Sequence, residues 1–193
     1  MIKLDYKRIL SWQNFVLLFL FAFSLFGFVN FETSVILKIL WVLVLVFTAI
    51  YSLKINKLEY LILAIFFLLI YDFYNLYFSL GVGLWVEIIL LLGTVGVMTY
   101  ILLDKARASI DSKLRYVYLT FASLVSMEIF LTLVSWPVDP KNKAIILVLV
   151  YYLVYNAIFI NAEDKLSFKK ISPYLAVVLV LATLIMATSE WYK

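Results

Sequence analysis

Seven runs of apolar residues follow one another along this chain, each about 20 residues long and separated from the next by a short polar link. A helix of about 20 residues spans the hydrocarbon core of a bilayer. The runs cover about residues 9–29, 34–53, 58–78, 82–103, 114–136, 144–161 and 173–191. This pattern predicts an all-α polytopic membrane helix bundle that forms a single integral membrane domain over residues 1–193. Because the sixth run is the shortest, a bundle of six helices is the alternative.

The composition agrees with a membrane bundle and excludes several kinds of chemistry. Hydrophobic residues make up 66% of the chain and charged residues 15%, whereas soluble domains have roughly 45–50% and about 25%. The chain has no cysteine and no histidine, which excludes disulfides, thiolate nucleophiles and imidazole metal ligands. We expect no metal and no cofactor. The net charge of +4 is a topology signal rather than a sign of nucleic-acid binding.

The distribution of Lys and Arg predicts the orientation in the membrane. Most of the 16 basic residues lie before the first run and in the links that follow the second, fourth and sixth runs. Short loops that are rich in Lys and Arg stay on the cytoplasmic side. We therefore expect the N-terminus inside and, with seven spans, the C-terminus outside, in the cytoplasmic membrane of a bacterial or archaeal cell.

Acidic residues within the apolar runs are the candidate functional residues. Asp72 precedes a tight turn at residues 79–83 and Glu87 follows it, so two neighbouring spans place both acids at similar depth in the outer half. Glu128 lies at a comparable depth in the fifth run. A charge at the centre of a membrane helix costs about 2.5–3.5 kcal/mol, and such residues usually face the bundle interior. We therefore predict that all three acids point inward.

Two interpretations of these acids remain open. In the first, an acidic pocket in the outer half binds a proton, a cation or an amine-bearing solute. Its ligand-binding residues are Asp72, Asn75, Glu87, Glu128, Trp85 and Trp136. In the second, Lys38 in the second run forms an ion pair with Asp72 or Glu87, and the network only fixes how the helices pack.

The leading function hypothesis is a multi-pass membrane protein that binds or transports a small solute, cationic in the simplest case. The alternative is a non-catalytic scaffold or partner subunit of a cell-envelope complex, with another membrane protein or a second copy as partner. Small residues such as Gly93 and Gly96, or Ala122 and Ser126, permit close helix approach within the chain or between chains. An enzyme is not expected, because no basic cluster accompanies the acids to hold a phosphate.

Proline marks two of the expected helix boundaries. Pro137 ends the fifth helix, because the residue before a proline disfavours helical geometry. Ser172 and Pro173 resemble a helix start, with serine as the N-cap and proline at the first helical position. The last span is therefore expected to begin at Pro173.

Overall fold

A computed structural model describes residues 12–55, 58–105, 110–163 and 166–189, and all regular structure in these residues is helical. The seven helices are α1 Trp12–Phe31, α2 Val35–Ile55, α3 Leu58–Leu80, α4 Leu84–Lys105, α5 Ser112–Val134, α6 Pro140–Glu163 and α7 Phe168–Thr188. Each apolar run overlaps one of these helices, so the predicted all-α fold is confirmed.

Five of the described helices, α3 to α7, are long and apolar enough to cross a membrane. The first two contribute shorter apolar stretches, at Phe15–Phe31 in α1 and Lys38–Ser52 in α2. Several such helices in one chain are consistent with an integral membrane protein.

The chain divides into two compact units, Met1–Asp72 and Phe73–Lys193, and α3 contributes residues to both. In the first unit, the core is built mainly from α3, whose side chains from residue 65 to residue 72 are all buried. Apolar side chains of α1, such as Leu17 and Phe28, are buried in the same unit. The prediction of a single domain over the whole chain stays a prediction.

Helices of the second unit pack in chain order, α4 on α5, α5 on α6 and α6 on α7. A buried polar contact also joins α4 to α6, where the hydroxyl oxygens of Thr99 and Tyr151 lie 3.1 Å apart. Since membrane helices lack a hydrophobic force between them, such hydrogen bonds help to fix which faces meet.

The tight turn between α3 and α4 depends on a glycine. Gly81 has a φ of 65°, in the left-handed region that residues with a Cβ rarely adopt. The backbone N–H of Val82 donates to the carbonyl of Leu76 at 3.2 Å, which closes the end of α3. Leu84 then begins α4, so the predicted turn at residues 79–83 is confirmed.

Helix α6 begins earlier than its apolar run. The run was expected from residue 144, whereas the helix starts at Pro140. Proline suits the first helical position, because its fixed φ is helical and its missing N–H would be unpaired there in any case. Asp139 Oδ1 accepts the backbone N–H of Lys141 at 2.7 Å, as an N-cap residue does.

Helix α7 begins at Phe168, so the prediction that Ser172 and Pro173 start the last helix is wrong. Pro173 lies inside the helix, where its missing N–H leaves the carbonyl of Lys169 without its usual donor. The hydroxyl of Ser172 donates to that carbonyl at 3.3 Å. The serine that resembled an N-cap therefore compensates for the proline within the helix.

Candidate functional site

Asp72 is a buried acid at the end of the first unit. It lies in α3, and only 4% of its surface is exposed. Both of its carboxylate oxygens are buried, and neither has a hydrogen-bond partner among the residues that the structure describes. Burying a polar group without a partner is unfavourable, and burying an unpaired charge is more so. Asp72 is therefore a residue that packing alone would not favour.

Helix α1 approaches the Asp72 carboxylate at Gly27. A Cβ placed on Gly27 would lie 2.6 Å from Cγ of Asp72, 2.8 Å from Oδ1 and nearer still to Oδ2. Real Cβ atoms do not approach other heavy atoms so closely, so a side chain at this position would displace the acid. The glycine is what allows α1 and the carboxylate of α3 to occupy adjoining positions.

Four aromatic rings border this contact and form a closed cycle across α1, α2 and α3, which we call the aromatic quartet. It consists of Phe28, Trp41, Phe67 and Tyr71. The ring centroids are 5.1 Å apart for Phe28 and Tyr71, 5.4 Å for Trp41 and Phe67, and 6.5 Å for the other two neighbouring pairs. These separations are typical of favourable aromatic pairs. Phe28 follows Gly27 and Tyr71 precedes Asp72 in the chain, so the quartet packs the same turns of α1 and α3 that make the contact between Gly27 and Asp72.

Lys38 does not neutralise Asp72. The lysine is half-buried on α2, but no oxygen of Asp72 has a partner in the described part of the chain. The predicted ion pair between Lys38 and Asp72 is therefore wrong. Asn75, one helical turn further along α3, is half-buried and makes an interaction of its own.

Glu87 is the second buried acid, and it belongs to the second unit. It lies in the first turn of α4 and is 0% exposed. Neither of its carboxylate oxygens has a hydrogen-bond partner among the described residues. The alternative ion pair of Lys38 with Glu87 stays a prediction. The expectation that Glu87 and Asp72 share one cavity stays a prediction.

Glu128 differs from the other two acids, because it is exposed on α5. The prediction that it faces the bundle interior is wrong. The buried face of α5 carries Tyr118, Ala122, Ser126, Phe130 and Leu133. With 3.6 residues per turn, a residue two positions from both Ser126 and Phe130 points to the opposite side of the helix.

Both predicted rim tryptophans also lie on the surface. Trp85 at the start of α4 is 78% exposed, and Trp136 in the link after α5 is 36% exposed. Side chains at these positions are accessible to lipid headgroups or to a solute outside the chain, and they are not part of a buried wall. Of the predicted acids, the structure buries Asp72 and Glu87 and leaves Glu128 outside.

Lys143 is a buried cation that the sequence analysis did not select. It lies in the first turn of α6 and is 2% exposed. Its Nζ is 4.3 Å from the ring centroid of Phe78 and 5.7 Å from that of Tyr74, and it donates to the carbonyl of Val134 at 3.2 Å. Such cation–π contacts are strongest when the cation is removed from water. Lys143 thus joins the start of α6 to the end of α5 and to the last turns of α3.

Tyr74 holds this end of α3 against α5. Its ring stacks on Phe130 with centroids 4.7 Å apart, and its hydroxyl donates to the carbonyl of Phe130 at 3.5 Å. The sequence did contain a signal for the lysine: the Asp139-Pro140 pair is a helix start, which places Lys143 inside the helix rather than in the link.

Neither acid belongs to an obvious metal site. Over the residues that the structure describes, no group of three or more Asp, Glu, His or Cys side chains is arranged to hold a metal ion. Comparison of the chain with protein-family models, with curated proteins and with solved structures finds no match.

Proposed function

We propose that the chain is a multi-pass, non-enzymatic membrane protein that binds or transports a small cationic solute, with Asp72 and Glu87 as the groups that bind positive charge. The observation that supports this proposal is that four buried carboxylate oxygens, two on each acid, have no partner among the described residues. Carboxylates in that condition gain most from a bound cation, an amine or a proton.

The free-energy cost of burying these two acids favours a functional role over a purely structural one. Ionisable residues within membrane helices are rare, and those that persist usually serve a ligand or ion pathway. A structural network would pair each acid with a cation or with donors, and within the described ranges neither Asp72 nor Glu87 is paired in this way. Asn75 stays in the proposal as a further polar contact for the solute. Glu128 is left out of the proposed site.

The proposed topology has seven spans, with the N-terminus inside and the C-terminus outside, in a bacterial or archaeal cytoplasmic membrane. Its support is the asymmetry of Lys and Arg between alternate links. In this topology both buried acids lie nearer the outer face, so a solute would reach them from outside the cell.

A thermal-shift screen of the purified protein tests the proposal. The probes are inorganic cations, amines and vitamins, each measured across a range of pH. We expect at least one of them to raise the melting temperature of the wild type, because a ligand that binds only the folded protein stabilises it. The same probe should have a much smaller effect on Asp72→Asn or Glu87→Gln, which keep the shape of each side chain but remove its charge.

Glu128→Gln is the matched control for this screen. It removes an acid of the same chain from an exposed position, so the solute-dependent shift should equal that of the wild type. An identical shift in all three amide variants would show that the buried acids do not bind the solute, and the proposal would be wrong.

A second candidate function is that of a non-catalytic scaffold or partner subunit, and one face of α4 favours it. Gly93 is exposed, and a Cβ placed there or at Gly96 would meet nothing within 4 Å. By contrast, Ala122 and Ser126 are buried inside the chain, so that pair of small residues is used internally. This function predicts a co-purifying protein or a dimer in mild detergent and no solute-dependent stabilisation.

A further inference from the structure

We propose that Asp72 binds a proton, and that the contact between Asp72 and Gly27 is closed while the proton is bound and opens when it is released. This inference rests on the proposed function, because it identifies the coupling ion of the same site. It assigns the two buried acids different ligands: a proton for Asp72, which leaves Glu87 to contact the solute.

The space around Asp72 favours a proton over any larger ligand. Its Cγ and both oxygens lie within 2.8 Å of the position that the methyl group of an alanine at position 27 would take. A metal cation would need several oxygen ligands at about 2.0–2.6 Å, and an organic cation would need still more volume. The residues beside Gly27 on α1 are Phe26 and Phe28, which offer no oxygen ligand from a side chain. A proton needs no more space than the contact between Gly27 and Asp72 already provides.

No described charge in the first unit compensates an ionised Asp72. Helix α1 has no titratable side chain anywhere between Trp12 and Phe31. The titratable side chains described elsewhere in this unit are Glu32 after α1, Lys38 and Tyr51 on α2, and Glu59, Tyr60 and Tyr71 on α3 itself. None of them bonds to the carboxylate of Asp72. An unpaired carboxylate buried against an apolar helix is strongly unfavourable, so the closed contact selects the neutral acid.

Release of the proton therefore has a structural consequence. The ionised carboxylate needs water or a cation, and the closed contact provides neither. Separation of α1 from α3 at Gly27 admits water without breaking a hydrogen bond of the Asp72 carboxylate, because it makes none with the described residues. The first unit then has two arrangements, closed with a neutral acid and open with an ionised one, and the proton determines which is populated.

Infrared difference spectroscopy and spin-label distances, recorded on the purified full chain in lipid nanodiscs, test both parts of the proposal. In the wild type, raising the pH should remove a carboxylic-acid C=O band, and this band should be missing from Asp72→Asn but present in Glu87→Gln. If Asp72→Asn does not fold, isotope-labelled aspartate in the wild-type protein shows whether the titrating band belongs to an aspartate.

Because the chain contains no cysteine, two introduced cysteines can be labelled without background. Phe26→Cys on α1 and Tyr60→Cys on α3 replace exposed side chains. We expect one narrow distance distribution at low pH and a longer or broader one at high pH. Asp72→Asn should keep the low-pH distribution throughout, since its amide cannot ionise.

Two results would overturn the inference: an aspartic-acid band that does not change with pH or that survives in Asp72→Asn, or a distance distribution that is the same at low and high pH. Failure of this inference can be distinguished from failure of the proposed function. If the band and the distance titrate but no solute stabilises the protein, the proton site stands and the solute-binding proposal is wrong. If a solute stabilises the protein and neither the band nor the distance changes with pH, the solute-binding proposal stands and the proton site is wrong.

Discussion

The carboxylate of Asp72 lies directly against the backbone of Gly27, in a space that no other residue at position 27 would leave. The two residues are far apart in sequence and lie on different helices, α3 and α1. Both carboxylate oxygens are buried, with no hydrogen-bond partner in the described part of the chain. Small residues in membrane helices allow the backbones of two helices to approach closely. Here the glycine instead makes room for the side chain of an acid on the neighbouring helix.

This contact predicts that Gly27→Ala destabilises the protein. The added methyl would lie 2.6 Å from Cγ of Asp72, and aspartate is too short for Cγ to move aside without a shift of the helix. Overpacking of this kind costs about 1–3 kcal/mol. The free energy of unfolding, measured by denaturant titration in mixed micelles, should fall by that amount.

Gly93→Ala is the matched control for this substitution. Gly93 is also within a helix, but a Cβ there meets nothing within 4 Å. Because alanine favours helix over glycine by about 1 kcal/mol, the control should be neutral or stabilising. In a protein that already carries Asp72→Ala, Gly27→Ala should no longer lower the free energy of unfolding. A cost that persists in that background would mean that the methyl clashes with something other than the acid.

Glu87→Met is predicted to stabilise the protein and to abolish solute binding. Methionine has a similar length and no polar oxygen, so the substitution removes two buried acceptors that have no partner among the described residues. An unsatisfied buried polar group costs about 1–3 kcal/mol, and the free energy of unfolding should rise by up to this amount. A rise in stability with a loss of function is common when a functional residue is replaced.

The same substitution at an exposed acid should have almost no effect. Glu128→Met changes a residue on the outer side of α5, and exposed substitutions usually alter stability by less than about 0.5 kcal/mol. If Glu87→Met instead lowered the melting temperature while Glu128→Met did not, the Glu87 carboxylate would be satisfied in the folded protein, and its proposed role would lose its support.

The positions of the helices could be predicted from the sequence, because long apolar runs admit few structures. Each run overlaps one helix, and Gly81 lies in the turn that was predicted at residues 79–83. The faces of the helices could not be predicted in the same way. A membrane helix is apolar on all sides, so its sequence does not distinguish a lipid-facing side from a protein-facing one. Glu128 was expected inside for this reason and lies outside.

Contacts between residues that are far apart in the chain could not be predicted from the sequence either. The spacing of Asp72 and Asn75 was visible on one helix, but nothing local to α3 indicates that Gly27 of α1 adjoins the acid. Lys143 was treated as a residue of a link because the apolar run begins after it. The helix begins at Pro140 instead, which places the lysine in its buried first turn.

Lys143 and Phe78 are predicted to stabilise the second unit as a pair. Lys143 Nζ lies 4.3 Å from the centroid of the Phe78 ring, and the lysine is almost fully buried. A double-mutant cycle with Lys143→Met and Phe78→Leu should give a coupling free energy of about 1–2 kcal/mol, as expected for a desolvated cation–π contact. The cycle is needed because Lys143→Met alone also removes a buried charge.

The control cycle pairs Lys143→Met with Phe168→Leu. Phe168 is an exposed phenylalanine at the start of α7, so the two substitutions should be additive within about 0.5 kcal/mol. Equal coupling in both cycles would show that the effect of Lys143 is global and does not come from its contact with the Phe78 ring.

The proposed topology predicts that the links on either side of α6 lie on opposite faces of the membrane. Trp136→Cys in the link before α6 and Ser167→Cys in the link after it both replace exposed residues. The chain has no cysteine of its own, so the unmodified protein serves as the blank. A membrane-impermeant maleimide added to intact cells should label Trp136→Cys, whereas Ser167→Cys should be labelled only after permeabilisation.

The expected difference follows from the basic residues next to the second link. Lys169 and Lys170 lie just beyond Ser167, and short links rich in lysine stay on the cytoplasmic side. Labelling of both cysteines from outside would mean that α6 does not cross the membrane, which favours the six-span alternative. Labelling of Ser167→Cys alone would invert the orientation, and the buried acids would then lie nearer the cytoplasm, where a solute would reach them from inside the cell.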